Sequence, residues 1–365
     1  MKIKNQFLAW GDVMKRLIIA LLLCYGVAWP GVQLCWAESE QQAPSTVGEE
    51  RREEKKATRP ATTVEKGGTL LPSWRFVIEP SFEYDHISGQ NVSISGWTVF
   101  EAVLIGQLAI EKLKRDIFIP GVTFRLGLKD AELNMKVPYF IRSDQMIRPA
   151  QGDPSRVVEK DISDSDIGDL EFYFYYHLLK EGRWRSWVPD TIVRIGMKAP
   201  TGKDPYHLHR EAVPEFGGLV IPTEFPTGTG HWGTSAGVTF IKSVDPAVIF
   251  LNLAYYYNFE RDVGTVNGIN FGNIKLGNSF EYSIGLIFAL QERLSLNFAL
   301  NQRLTGKTEQ NGSRLADTQI NAVSFNIGAT YVVSPRLTFD FVVGIGLSQD
   351  APDVSVLLRM PISVR

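Results

Sequence analysis

Cysteine is nearly absent from this 365-residue chain: there are two, Cys24 and Cys35. Both lie in an N-terminal segment expected to be removed, so a disulfide framework and thiol chemistry are excluded. A surplus of one charge is also missing. There are 38 Lys and Arg against 40 Asp and Glu, for a net charge of -2, which argues against nucleic acid as a partner. Charged residues make up only 21% of the chain, below the usual share of about 25% in soluble domains. Long apolar runs are missing as well. The main one, Leu17 to Trp29, has about thirteen residues, too few for a membrane helix, which needs about twenty. Low hydropathy over any window does not exclude a membrane barrel, whose apolar and polar residues alternate and cancel.

That short run follows Lys15 and Arg16 and precedes the small residues Cys35 and Ala37, the layout of a secretory signal over residues 1–37. Residues 38–72 hold the charged tract Glu49 to Lys56 and almost no apolar residue before Leu70. They cannot bury a core of their own. They read as a polar periplasmic arm, either disordered or a short exposed helix held by i,i+4 charge pairs that could plug a pore.

What the chain has instead is alternation. From Asp169 to Leu178, one strand face carries Asp169, Glu171, Tyr173, Tyr175 and His177. The other carries Leu170, Phe172, Phe174, Tyr176 and Leu178. Successive side chains of a strand point to opposite faces. An alternating stretch of about ten residues matches a bilayer-spanning strand and exceeds the usual five or six of a soluble sandwich. The pattern recurs from Trp74 to the C-terminus. Phe76, Ile78, Phe82 and Tyr84 alternate with Glu79, Glu83 and Asp85. Phe118, Val122, Phe124 and Leu126 alternate with Thr123 and Arg125, and Leu133, Met135 and Val137 with Asn134 and Lys136. Later segments repeat it around Arg194 and Lys198, Tyr255, Tyr257 and Glu260, Arg303, Asp340 and Arg359.

Residues 73–365 are therefore expected to form an all-β, transmembrane, antiparallel up-and-down β-barrel. Connections alternate between short turns (Lys129–Ala131, Lys242–Pro246, Gln291–Glu292, Ser334–Arg336) and long polar loops (145–165, 202–230, 261–275, 307–319). That asymmetry is typical of outer-membrane barrels. Segment 89–115 reads either as an outer hairpin or as an added strand pair, giving twelve or fourteen strands, and twelve is the expectation. An even number places both ends in the periplasm. The lumen face is expected to carry Glu79, Glu83, Arg125, Lys136, Glu171, Arg194, Lys198, Glu260, Arg303, Asp340 and Arg359. Trp74, Tyr176, Tyr255 and Tyr257 are expected at the membrane interfaces, with Trp184 and Trp187 at the short-turn end.

Several segments resemble an outer-membrane barrel family labelled for the MetA pathway of phenol degradation. They are Gly67 to Pro72, Glu79 to Tyr84, Gly168-Asp169-Leu170, Ala199 to Pro205, Thr227 to Gly230, Asp245 to Val248 and Gly346 to Asp353. The resemblance spans about 67–365 and implies a barrel of about twelve strands that acts as a transporter. A related group, similar in the position of its arm, exports amyloid subunits through a pore plugged by an N-terminal helix. The chain ends Ile362-Ser363-Val364-Arg365 without the terminal aromatic residue usual in outer-membrane barrels, a departure that bears on assembly and not on fold.

Other constellations read as structural. His207, His209 and Glu211, with His231 further on, have the alternate spacing of metal ligands but read as solvated loop residues. Glu171, His177, Asp164 and Asp166 could form an acid–base set but lack a nucleophile, and read as lumen charge pairs. No cofactor, no metal and no enzymatic activity are expected. The expected partners are outer-membrane lipid, the barrel assembly machinery, and an unidentified solute or secreted polypeptide. A homo-trimer is compatible with the sequence and not legible in it. A non-conducting surface-interaction barrel is the competing functional reading.

Overall fold

The computed structural model describes residues 68–88, 112–150, 153–183, 187–213, 219–266, 268–316 and 318–364. The signal-like segment, most of the arm, segment 89–111 and Trp184 lie outside these residues.

The strands in chain order are β1 (Phe76–Ser88), β2 (Lys112–Leu128), β3 (Ala131–Ala150), β4 (Asp153–Ile167), β5 (Leu170–Leu179), β6 (Asp190–Ala199), β7 (Arg210–Val213), β8 (Leu219–Pro222), β9 (Gly233–Val244) and β10 (Ala247–Asn258). They continue with β11 (Arg261–Val266), β12 (Ile269–Lys275), β13 (Ser279–Gln291), β14 (Leu294–Thr305), β15 (Glu309–Gln310), β16 (Ser313–Arg314), β17 (Ile320–Ser334), β18 (Leu337–Gly346), β19 (Val354–Arg359) and β20 (Ile362–Ser363). The main sheet is antiparallel and holds fourteen of them. Two are continuations: β4 extends β5 along the upper half of β3, and β20 extends β19 along β1. The sheet thus has twelve staves, and pairing of β19 with β1 closes it.

Closure removes every sheet edge, as a strand-built membrane span requires. The outward face carries large apolar side chains left exposed, among them Leu133, Phe172, Phe174, Ile195, Met197, Ile249, Ile284, Phe341 and Ile345. In water such a belt would be an aggregation surface; against lipid it is the solvated side. Directly opposite residues share a face, so the register fixes the interior. Glu79 lies opposite Thr123, Lys136 opposite Glu171, and Glu171 opposite Lys198.

The sequence reading of 145–165 as a loop is corrected here. β3 and β4 run through that segment as a hairpin with twelve register pairs. At 20 and 15 residues, these strands exceed the nine to eleven or so that a bilayer needs. Past the bilayer length the outward positions turn polar, with Asp161, Ser163 and Ser165 exposed, so the alternation vanishes from the sequence. Inside the extension, Asp144 is buried between Arg115 and Arg142 at 2.8 and 2.6 Å. The loops 202–230, 261–275 and 307–319 also contain short strands. β7 pairs with β8, while β11, β12, β15 and β16 form a small four-stranded sheet over the long-loop end.

Candidate functional site: the barrel lumen

Three layers occupy the lumen. The lowest is apolar and lies at the short-turn end, which faces the periplasm in outer-membrane barrels. Tyr175, Ile192, Ile241, Val248, Phe250 and Ile287 form a buried cluster, and Leu70 packs against it. Leu71 N–H donates to Glu132 Oε2 at 2.8 Å, and Glu132 is fully buried. Residues 68–72 therefore run along the inner wall of β2 and β3. Glycine at 127 makes this approach feasible. A Cβ there would collide with the Pro72 carbonyl oxygen and stand 2.8 Å from Leu71 Cβ.

The middle layer is a network of charges and tyrosines. Arg125 donates to Glu132 at 2.8 Å and to Glu79 at 3.0 Å. Arg359 pairs with Asp340 and lies 3.8 Å from Glu79. Across the lumen Arg303 pairs with Glu281, and its guanidinium sits 4.9 Å from the Tyr256 ring centre. Arg194 stands between Tyr173 and Tyr256, at 5.3 and 5.8 Å from their ring centres. Tyr173 Oη donates to Glu171 at 2.8 Å. Three guanidiniums are thus matched to carboxylates, as buried charges must be. Above and between them is a cavity of about 360 Å³. Its walls hold Glu83, Asp85, Lys136 and a run of amide and hydroxyl side chains, including Asn252, Ser283, Asn301, Ser324, Asn326 and Ser355.

The upper layer fastens the outer loops. The buried Asp169 accepts from Lys198 Nζ at 3.0 Å, Thr229 N–H at 2.9 Å and Gly202 N–H at 3.1 Å. Lys198 also bonds to Thr229 Oγ1. Asp164 accepts from Lys203 at 2.8 Å and from Phe225 N–H at 3.0 Å. Tyr206 packs with Val266, Phe271, Ile274, Leu276 and Ile320 in a second apolar cluster beneath the small sheet.

Within that roof, His231 departs from the expectation of a solvated loop histidine: it is only 1% exposed. Its Nδ1–H donates to the Phe259 carbonyl at 3.0 Å, which leaves Nε2 to accept from Tyr206 Oη at 2.7 Å. A carbonyl cannot donate, so the tautomer is fixed. Burial, with Lys198 and Arg261 nearby, lowers its pKa to about 4. The unfolded chain binds that proton near pH 6.5, so its stabilising share is complete above that pH and is lost as pH falls toward 4. The protection factor of the Gly230 and His231 amides, which is their exchange relative to an unstructured chain at the same pH, is expected to fall from pH 7 to pH 4 in the native chain. In His231→Phe that pH dependence is expected to flatten.

Of the sequence-predicted residues, Glu79, Glu83, Arg125, Lys136, Glu171, Arg303 and Arg359 line the cavity. Arg194, Lys198 and Asp340 are buried beside or above it. Glu260 stands apart, exposed just beyond β10. The interface candidates Trp74, Tyr176 and Tyr255 are exposed and Tyr257 is half-buried, whereas Tyr256 of the same triplet is buried. The proposed acid–base set is dispersed: His177 pairs with Asp190 at 3.1 Å, Asp164 with Lys203, and Asp166 accepts from Ile167 N–H. His207 and His209 are exposed, each near one carboxylate. Among the described residues, no three histidine, cysteine or carboxylate side chains converge as a metal site. Asp85, already on the polar face by alternation, is joined in the lumen by Glu132 and Glu281. Their inward parity was the available signal.

A closed barrel with an apolar outer belt and a charged, partly hollow interior defines a β-barrel of the outer-membrane type. The chain belongs to the family described as "Putative MetA-pathway of phenol degradation", which it matches over residues 111–360. Its fold is similar to that of the COG4313 outer membrane channel from Pseudomonas putida F1. That match has a TM-score of 0.54 at 14% identity and covers 80% of this chain and 96% of the other. The Pseudomonas putida toluene transporter TodX matches at a TM-score of 0.39 and 9% identity, over 83% of this chain and 96% of that one.

Proposed function

We propose that this chain is an outer-membrane channel that passes a small hydrophilic solute passively, with residues 68–72 seated in the periplasmic mouth. The observation that carries the reading is the interior. A barrel built only for structure could fill its lumen with apolar packing, yet this one keeps a cavity of about 360 Å³ lined by carboxylates, guanidiniums and amides. That size favours a small solute over a polypeptide. That lining favours a hydrophilic solute over a hydrocarbon, whose passage would strip water from charged groups with nothing in return. Residues 68–72 lie over the apolar floor, where they narrow the path.

The test is single-channel conductance in a planar bilayer for the full chain and for Leu70→Asp. A carboxylate placed among Ile192, Ile241 and Phe250 has no partner there, so the segment is expected to leave the mouth. The expected result is a small or flickering conductance in the native chain and a larger, steadier one in the variant. Silence from both, with heat-dependent gel mobility showing a folded barrel, would overturn the channel reading in favour of a non-conducting barrel.

A further inference from the structure

We infer that the lumen selects for small monovalent cations, inorganic or alkylammonium, and that Asp85 is the specificity-determining residue. The inference rests on the channel reading and names the solute's charge.

Four inward positions stand in direct register across neighbouring strands. Asp85 of β1 is opposite Ser355 of β19, Ser355 opposite Gly344 of β18, and Gly344 opposite Asn326 of β17. Gly344 leaves the space that its neighbours use. A Cβ there would collide with Ser355 Oγ and lie 2.7 Å from Asn326 Oδ1, so both oxygens lean over the glycine. Asn326 Oδ1 is buried and has no donor. Asp85 is only 2% exposed, and among the described residues no donor hydrogen-bonds its carboxylate. Its charged neighbours are Glu83, on the same face of β1, and Lys136. A buried carboxylate without a donor is costly, and either a proton or a bound cation relieves that cost.

Lys136, which also lines the cavity, offsets part of this field, and the rest of the cavity adds little to that offset. Its three guanidiniums are already held: Arg125 by Glu79 and Glu132, Arg303 by Glu281, and Arg359 by Asp340. A passing ion therefore meets a row of oxygens (carboxylate, hydroxyl and amide) beside a second carboxylate. Oxygen sets of this kind suit hard cations and ammonium groups and repel anions.

The test is the reversal potential of the full chain in a planar bilayer under a KCl gradient, then under methylammonium chloride. Low ionic strength is used, because screening hides fixed charge. The native channel is expected to favour the cation in both salts. Asp85→Asn should lower the cation-to-anion ratio roughly twofold or more, and Asn326→Asp should raise it. An anion-selective or unselective native channel, or a ratio that neither variant moves, would overturn the proposal and leave the channel reading standing. A folded barrel that never conducts overturns both. If Asp85→Asn does not assemble, the gain expected from Asn326→Asp still decides the matter.

Discussion

Asp169→Asn is expected to free the outer loop over residues 200–232 from the barrel rim while the barrel itself stays closed. Asparagine matches the shape of the side chain. It cannot accept at both oxygens, and it removes the carboxylate that faces Lys198 Nζ at 3.0 Å. Lys198 is fully buried in β6, so it cannot turn to water for compensation. Separating such a pair costs about 3 kcal/mol or more. Spent on loop opening, that is roughly a hundredfold rise in the open population. The amides of Gly202 and Thr229, which donate to this carboxylate at 3.1 and 2.9 Å, should exchange faster by about that factor. Added protease should also cut within the loop. The barrel strands should keep their protection and their heat-dependent gel mobility, because their ladder bonds do not involve Asp169. Exchange at those two amides unchanged from native would show that the roof is held by the apolar cluster around Tyr206 and not by this rim contact.

Arg125→Leu should be the most damaging single change in the lumen. One guanidinium serves two carboxylates, Glu132 at 2.8 Å and Glu79 at 3.0 Å, and all three side chains are almost wholly buried. Leucine leaves both acids without their shared partner, with Arg359 at 3.8 Å as the nearest relief for Glu79. The expected loss is about 3–5 kcal/mol, read as a lower denaturant midpoint for the barrel in detergent or lipid. Arg125→Lys should fall between the two. An ammonium keeps the charge but lacks the planar fork that reaches two carboxylates at once. A lysine variant as stable as the native chain would mean that charge alone, without geometry, holds the belt. Because Glu132 also accepts the Leu71 amide, Arg125→Leu should loosen the seating of residues 68–72 as well.

Much of this was legible in the chain, for a reason specific to membrane strands. A barrel strand separates lipid from lumen residue by residue, so alternation records the face of every side chain. Phe172, Phe174 and Tyr176 turned out, while Glu171, Tyr173 and Tyr175 turned in, as their parity requires. Strand number followed from turn spacing, because a closed sheet needs each strand to reach its neighbour through a short connection at one end. Legibility failed where the chain leaves the bilayer. In the β3–β4 extension the outward positions Asp161, Ser163 and Ser165 are polar as well, so no alternation marks the strands. His231 looked like a surface residue because the neighbours that bury it, Tyr206 and Phe259, are 25 and 28 positions away.

Within the strands, the sequence by itself determined the face on which each side chain lies, because that choice depends only on the period of a strand; Glu260, just beyond β10, escaped it. It did not determine which lumen charges meet one another. Arg125 joins Glu79 from another strand, Arg303 takes Glu281, and Asp85 is left facing Ser355 and Asn326 across a glycine. Those partnerships depend on register and on the curvature of a closed wall, which bring together residues separated by up to a few hundred positions. Pairing by distance is a property of the closed barrel, and only the tertiary structure decided it.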